Sequence, residues 1–225
     1  MISYLPHYPV SFPSPEAADE DGLLAIGGDL SVSTLLKAYS AGIFPWYNED
    51  SPILWWSPDP RFILLPENLK VSKSLAKTIK SGKFSIAYDR DFPSVIEHCG
   101  NVPRKGEDGT WITPEMKKAY IAFHKAGYAH SVEVYLEAKL VGGLYGVALG
   151  RVFFGESMFH LETDASKVAL YYLVETVKKL NFHFIDAQVS TDHMKRMGAT
   201  EIRRKEFTAR LQRALNQPAN NNWNG

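Results

Sequence analysis

The segment Phe184-Ile185-Asp186-Ala187-Gln188 carries a carboxylate and an amide two positions apart in an otherwise apolar run. Strand side chains alternate faces, so Asp186 and Gln188 are expected on one side, roughly 6–7 Å apart. A buried strand favours Val or Ile at both positions, because a polar group taken from water without a partner is expensive. The pair points to a site that handles an amine or a hydroxyl. The plainer reading is a structural hydrogen-bond network at a strand end. A second acid, Glu156, closes the apolar run Val152-Phe153-Phe154-Gly155. It can pair with a cationic ligand or be satisfied by backbone.

A third chemistry is carried by Lys70, Lys73, Lys77 and Lys80. They recur at three- and four-residue steps on a predicted helix, with no acid between Lys70 and Lys83. Such a stripe suits nucleic-acid phosphates, and a solvated lysine face is the ordinary alternative. Any such binding must be local, since 25 basic and 25 acidic residues cancel. The single cysteine, Cys99, excludes an internal disulfide and a multi-cysteine metal site, and reads as a small buried apolar residue. There is no continuous apolar run of membrane-spanning length and no leader-like N-terminus, so a cytoplasmic setting with no membrane partner is expected.

These groups need a frame. Residues 1–60, rich in Pro, Gly and aromatics, hold one clear helix, Ser33 to Ala41, capped by Ser33 and stopped by Gly42. They are expected to form a small α/β lobe. Residues 61–225 are more regular. Strands are expected at Phe62–Leu65, Phe84–Tyr88, Ser131–Glu137, Leu140–Ala148, Arg151–Ser157 and Phe182–Gln188. Helices are expected at Ser72–Lys80, Phe92–Cys99, Thr113–Ala126, Asp164–Leu180, Thr191–Met197 and from about Lys205. Gly100–Gly109 reads as a polar loop and Asn216–Gly225 as a mobile polar tail. A helix, an antiparallel meander, a long helix and a further strand give an α+β layout. The same order occurs in acyl-CoA N-acyltransferase-like folds.

Several blocks carry a resemblance. They are Gly22-Leu-Leu-Ala-Ile-Gly-Gly-Asp-Leu-Ser31, Gly42-Ile-Phe-Pro-Trp46, Ile53-Leu-Trp-Trp-Ser-Pro-Asp-Pro-Arg61, Gly109-Thr-Trp-Ile-Thr113, Ala129-His-Ser-Val-Glu-Val134, Leu140-Val-Gly-Gly-Leu-Tyr-Gly146, Gly155-Glu-Ser-Met158, Asp164-Ala-Ser-Lys167 and Ile185-Asp186 with Gln188. In order and spacing they resemble the leucyl/phenylalanyl-tRNA–protein transferase family. Ala187 stands where that family often has Cys, and His160 where it often has Ser.

The resemblance implies an aminoacyltransferase with a small N-terminal lobe and an acyltransferase-like C-terminal lobe. It would move Leu or Phe, and Met more weakly, from Leu-tRNA or Phe-tRNA. The acceptor would be the α-amino group of proteins beginning with Arg or Lys, which are thereby marked for degradation. No metal, CoA or other cofactor is implied, and a monomer is expected.

Under that resemblance Asp186, Gln188 and Glu156 are the catalytic candidates. Gln188 would accept from the attacking amine, Asp186 would polarise the amide or take the proton through it, and Glu156 would pair with the acceptor's cation. A ribose hydroxyl handling the proton is equally compatible. Trp46, Trp111 and Tyr120 would surround the terminal adenosine. Leu144, Phe154, Met158, Leu170, Leu173 and Ile185 would wall the donor side chain, although core packing accounts for many such residues. The lysine stripe would take the acceptor stem by charge and shape.

Two rivals stand beside this reading. An acyl-CoA N-acyltransferase would want a Gly-rich pyrophosphate loop, which Ser157 to Asp164 lacks. A non-catalytic module binding basic N-termini would need the acids but not the lysines, an adenosine site or Gln188.

Overall fold

The computed structural model describes residues 2–8, 10–102, 111–217 and 223. Before Arg61 run β1 (Ser3–Leu5), β2 (Leu23–Gly27), α1 (Val32–Ser40), β3 (Phe44–Pro45) and β4 (Leu54–Trp56). The strands make a sheet of order β1-β2-β4-β3. They are short and broken by Pro and Gly, so no alternating pattern announced them. The cap of α1 is Ser31, two residues earlier than expected, its Oγ accepting from the Thr34 N–H at 3.3 Å.

The second sheet begins with β5 (Arg61–Leu64). There follow α2 (Lys73–Lys80), β6 (Ser85–Tyr88), α3 (Phe92–Gly100), α4 (Pro114–Lys125), β7 (Ala129–Leu136), β8 (Lys139–Leu149) and β9 (Val152–His160). Then come α5 (Ala165–Lys179), β10 (Phe184–Gln188), α6 (Asp192–Met197), β11 (Thr200–Ile202) and α7 (Arg204–Leu215). The order is β11-β5-β10-β9-β8-β7-β6, and the fold is α+β. Side-chain caps explain where the helices start. Ser72, Asp91, Thr113 and Thr191 each accept a first-turn N–H of α2, α3, α4 and α6.

Each face of the large sheet is covered, so its strands are buried on both sides. One apolar cluster joins α1, α3, α4 and α7 to β9 through Phe154, and also takes in residues of the small sheet. The other packs α2, α5 and α6 on the opposite face through Phe153. On α5 Ala165, Val168, Ala169, Leu170, Leu173, Val174 and Val177 are buried, and Tyr172 is only partly buried. Gly142 lets α5 start against β8: a Cβ there would lie 2.5 Å from that of Ala165.

The geometry that matters lies where β9 and β10 part. They pair in parallel from Phe184↔Val152 to Asp186↔Phe154 and no further. Each strand bulges just there. On β9, Gly155 faces Gly146 and Ser157 faces Tyr145, which leaves Glu156 as the inserted residue. On β10, Asp186 faces Ile63 and Gln188 faces Phe62, which leaves Ala187 inserted. Regular alternation from Asp186 to Gln188 is therefore replaced by a bulge, and Gln188 takes φ +61.

The tail also differs from expectation at Trp223. Its ring is buried, stacked 4.6 Å from that of His130 and packed on Phe153 and Phe182. Most of the expected polar loop (103–109), and 218–222 and 224–225 of the tail, lie outside the described residues.

Candidate active site

Glu156 and Gln188 meet across the opening between the strands. Gln188 Nε2 donates to Glu156 Oε1 at 2.9 Å. The same carboxylate accepts from Tyr39 Oη at 2.6 Å and from Tyr120 Oη at 3.2 Å. The two phenol oxygens also lie within hydrogen-bond reach of each other, so their two hydrogens are shared among three contacts. Tyr39 comes from α1 and Tyr120 from α4, so helices from both parts of the chain hold one carboxyl group. Burial pushes the Glu156 carboxyl up from 4.5 to about 7, and the charge of Asp186 adds to the rise. The bonds from Tyr39, Tyr120 and Gln188 oppose it. Both phenols are held well above their ordinary values, first by burial and then by the Glu156 charge, so they stay protonated donors.

Asp186 is placed differently from its expected role. Arg61 clamps its carboxylate with two bonds, Nε to Oδ1 at 2.9 Å and Nη2 to Oδ2 at 2.6 Å. The Gln188 backbone N–H also donates to Oδ1, at 2.9 Å. Asp186 bonds the Gln188 backbone rather than its amide. Arg61 is 1% and Asp186 0% exposed, and the guanidinium lies over the rings of Phe44 and Phe207. This buried pair ties β5 to the end of β10 and holds Gln188 in its left-handed conformation, a state that needs such support.

Beside these groups is a cavity of about 540 Å³. Leu144, Met158, Leu170, Leu173 and Ile185 line it, as expected of donor-pocket walls, and Phe153 joins them. Trp46 and Trp111 also line it, with Phe44 and Pro45. Ser157, His160, Ser166, Thr191 and His193 give it a polar side, and Glu156 and Gln188 open into it. An apolar hollow with a few convergent polar groups is the usual form of a small-ligand site.

The family model described as leucyl/phenylalanyl-tRNA protein transferase matches residues 63–212, and that of its N-terminal domain matches residues 28–59. The chain belongs to the leucyl/phenylalanyl-tRNA–protein transferase family.

As a member it is an aminoacyltransferase. A relative so named from Anaeromyxobacter sp. (strain Fw109-5) is 57% identical over 93% of this chain and 89% of its own length. One from Pseudomonas entomophila (strain L48) is 51% identical over 99% of both. A GCN5-related N-acetyltransferase from Kribbella flavida aligns over 73% of this chain and 58% of its own at a TM-score of 0.39 and 12% identity. Among the described residues no helix is long and apolar enough to cross a membrane.

Two residues expected in the cavity of this transferase family member lie elsewhere. Phe154 is fully buried on the other face of β9, edge-on to Tyr39 at 5.1 Å, and strand alternation gives its place to Phe153. Tyr120 is fully buried between Phe123 and Tyr145, so its ring has no face for a base and its hydroxyl serves Glu156. Sequence reading missed Arg61, Tyr39 and His193. Tyr39 sits in the same buried stripe of α1 as Leu35 and Ala38, which disguised it as core. Lys70, Lys73, Lys77 and Lys80 are all exposed on and beside α2. Cys99 is buried, as a small apolar residue would be.

Proposed function

We propose that this protein transfers Leu or Phe, and Met more weakly, from Leu-tRNA or Phe-tRNA to the N-terminal α-amino group of proteins that begin with Arg or Lys. The transfer would mark those proteins for degradation. The observation that carries the reading is the bonded trio Asp186, Gln188 and Glu156 at the edge of an apolar cavity. Residues 1–60 would act as a lobe that closes the Trp46 side, and 61–225 as the catalytic part. The protein would work in the cytoplasm as a monomer.

The donor is already an activated ester, so no covalent nucleophile is needed. The acceptor nitrogen adds to the ester carbonyl, a C–N bond forms, the C–O bond to the ribose breaks, and a proton passes from nitrogen to the departing oxygen. Positioning supplies much of the rate. Ionised Glu156 draws the N–H end of the Gln188 amide towards itself. The carbonyl end then faces the amine and accepts its hydrogen bond. Asp186 would position rather than react, since both its oxygens are engaged. Trp46 and Trp111 would stack on the terminal adenosine, and α2 would take the stem phosphates.

The test is transfer of labelled Leu from Leu-tRNA to a peptide beginning with Arg, beside the same peptide beginning with acetyl-Arg. Transfer to the free amine alone is expected. Binding of the tRNA with no transfer to either peptide would overturn the reaction.

A further inference from the structure

One side of the cavity has no role in the reaction just proposed. It is formed by the end of β9, the first turn of α5 and the start of α6, which supply His160, Ser166 and His193. His193 Nε2 is shielded from solvent and has no hydrogen-bond partner among the described residues. A buried ring nitrogen without a partner is uncommon in a protein at rest and points to a bond made with something absent.

The surrounding charge says what that would be. Burial lowers the pKa of His193, and the charges of Lys167, Arg196 and His160 lower it further. Lys167 follows Ser166 in the first turn of α5, and Arg196 lies three residues after His193 on α6. Lys167 is paired with Asp164 at 2.8 Å. Arg196 is exposed and has no ion pair among the described residues. Cationic side chains beside the cavity favour an anion there.

The same side is continuous with the lysine helix. Thr78 of α2 donates to Asp164 at 3.4 Å, and Asp164 pairs with Lys167. Lys83, just past α2, reaches Glu162 at 3.0 Å. A strand of nucleic acid lying on α2 would thus cross Lys167 before it reached the cavity.

We propose that His160, Ser166 and His193, with Lys167 and Arg196 behind them, hold the phosphodiester that precedes the terminal adenosine of the donor. The proposal rests on the reading of the donor as an aminoacyl-tRNA. It adds the route by which the 3′ end enters, over α5 and α6. The His193 N–H and the Ser166 hydroxyl would donate to phosphate oxygens, and Lys167 and Arg196 would supply charge.

The experiment compares two small donors on the same protein. One is leucyl-adenosine, which has no phosphate, and the other is cytidylyl-adenosine carrying the same leucyl ester, which has one. Wild-type protein is expected to use the phosphate-bearing donor with kcat/KM higher by about tenfold or more, the gain from charge-assisted hydrogen bonds. In Lys167→Ala/Arg196→Ala that ratio should fall towards one, and in His193→Ala it should fall in part. Because the ratio is taken on one preparation, loss of folded protein cancels. Equal use of both donors by the wild type, or an unchanged ratio in the double variant, would overturn the subsite. Absence of transfer even from Leu-tRNA would overturn the parent reading as well, so the two failures are told apart.

Discussion

Gln188 Nε2 and Glu156 Oε1 are 2.9 Å apart, and each belongs to a bulge that closes its strand pairing. The bond fixes which end of the amide faces the cavity. An ionised carboxylate can only accept, so Glu156 takes the N–H end of the amide and turns its carbonyl oxygen to the substrate side. Gln188→Ala is expected to lower the rate of transfer about 100-fold, in the range for a lost acid–base contact. Affinity for Leu-tRNA, which we propose the lysines and aromatics carry, should stay within about twofold. Single-turnover transfer beside filter binding measures both. Equal losses in the two would remove Gln188 from the chemistry.

Glu156 gives a prediction with a pH sign. Its carboxyl is raised from 4.5 to about 7 in the folded protein, so between those values the folded state holds a proton that the unfolded state has released. The contribution of this group to stability is fully present below about pH 4.5 and is lost as pH rises through 7. Relative to Glu156→Gln, which cannot titrate, the wild type should lose roughly 2 kcal/mol between pH 5 and pH 8. Urea unfolding of both proteins at the two pH values reads this difference of differences. A gap that does not change with pH would mean that the carboxyl is not raised.

Much of this was legible in the chain, and what was not has a physical reason. Helices with a Ser or Thr cap and a regular stripe, such as α2 and α4, were readable to within a residue or two, because the signal is local. The walls Leu144, Met158 and Ile185 could be read because they flank the polar residues. Phe153 and Phe154 were exchanged, since a strand buried on both faces carries no polar residue to set its phase. Arg61 finds Asp186 across 125 positions, and nothing local records that pairing. The bulges at Glu156 and Ala187 depend on neighbouring strands, so alternation alone does not record them. The four strands before Arg61 were too short to show a period.

The ion pair of Arg61 and Asp186 should act on stability more than a surface pair would. Both groups are out of water, and removing one strands the other. Asp186→Ala is expected to cost about 3–5 kcal/mol in urea unfolding. Arg61→Leu/Asp186→Ala should recover a good part of that, because no charge is left unpaired. A cost below about 1 kcal/mol for the single variant, in the range of exposed pairs, would contradict the burial that the argument rests on.

The exposed lysines of α2 predict the salt dependence of donor binding. Each phosphate contact releases counterions, so the slope of log affinity against log salt counts them. Lys73→Ala/Lys77→Ala should reduce that slope by about 2, one for each charge, and weaken Leu-tRNA and Phe-tRNA alike. Titrations at several salt concentrations check it. An unchanged slope would return α2 to an ordinary solvated face.

The donor cavity predicts tolerance with a defined limit. Its walls come from β8, β9, α5 and β10, and the partly buried Met158 is the one unbranched, rotatable side chain among Leu144, Met158, Leu170, Leu173 and Ile185. A wall that can move accepts Leu and Phe without a large penalty, while one methylene more or less is worth only about 1–3 kcal/mol. A donor branched at Cβ differs in shape next to the ester, where Gln188 and Glu156 fix the geometry, so Ile should be transferred far less than Leu. Met158→Ile should stiffen the wall, because a β-branched side chain has few rotamers. Transfer of Phe should then fall relative to Leu by about tenfold, the equivalent of about 1.4 kcal/mol. Competition between labelled Leu-tRNA and Phe-tRNA for one peptide reads the ratio. If the ratio is unchanged, Met158 does not bear on the donor side chain, and Leu170 and Leu173 on α5 become the walls to test.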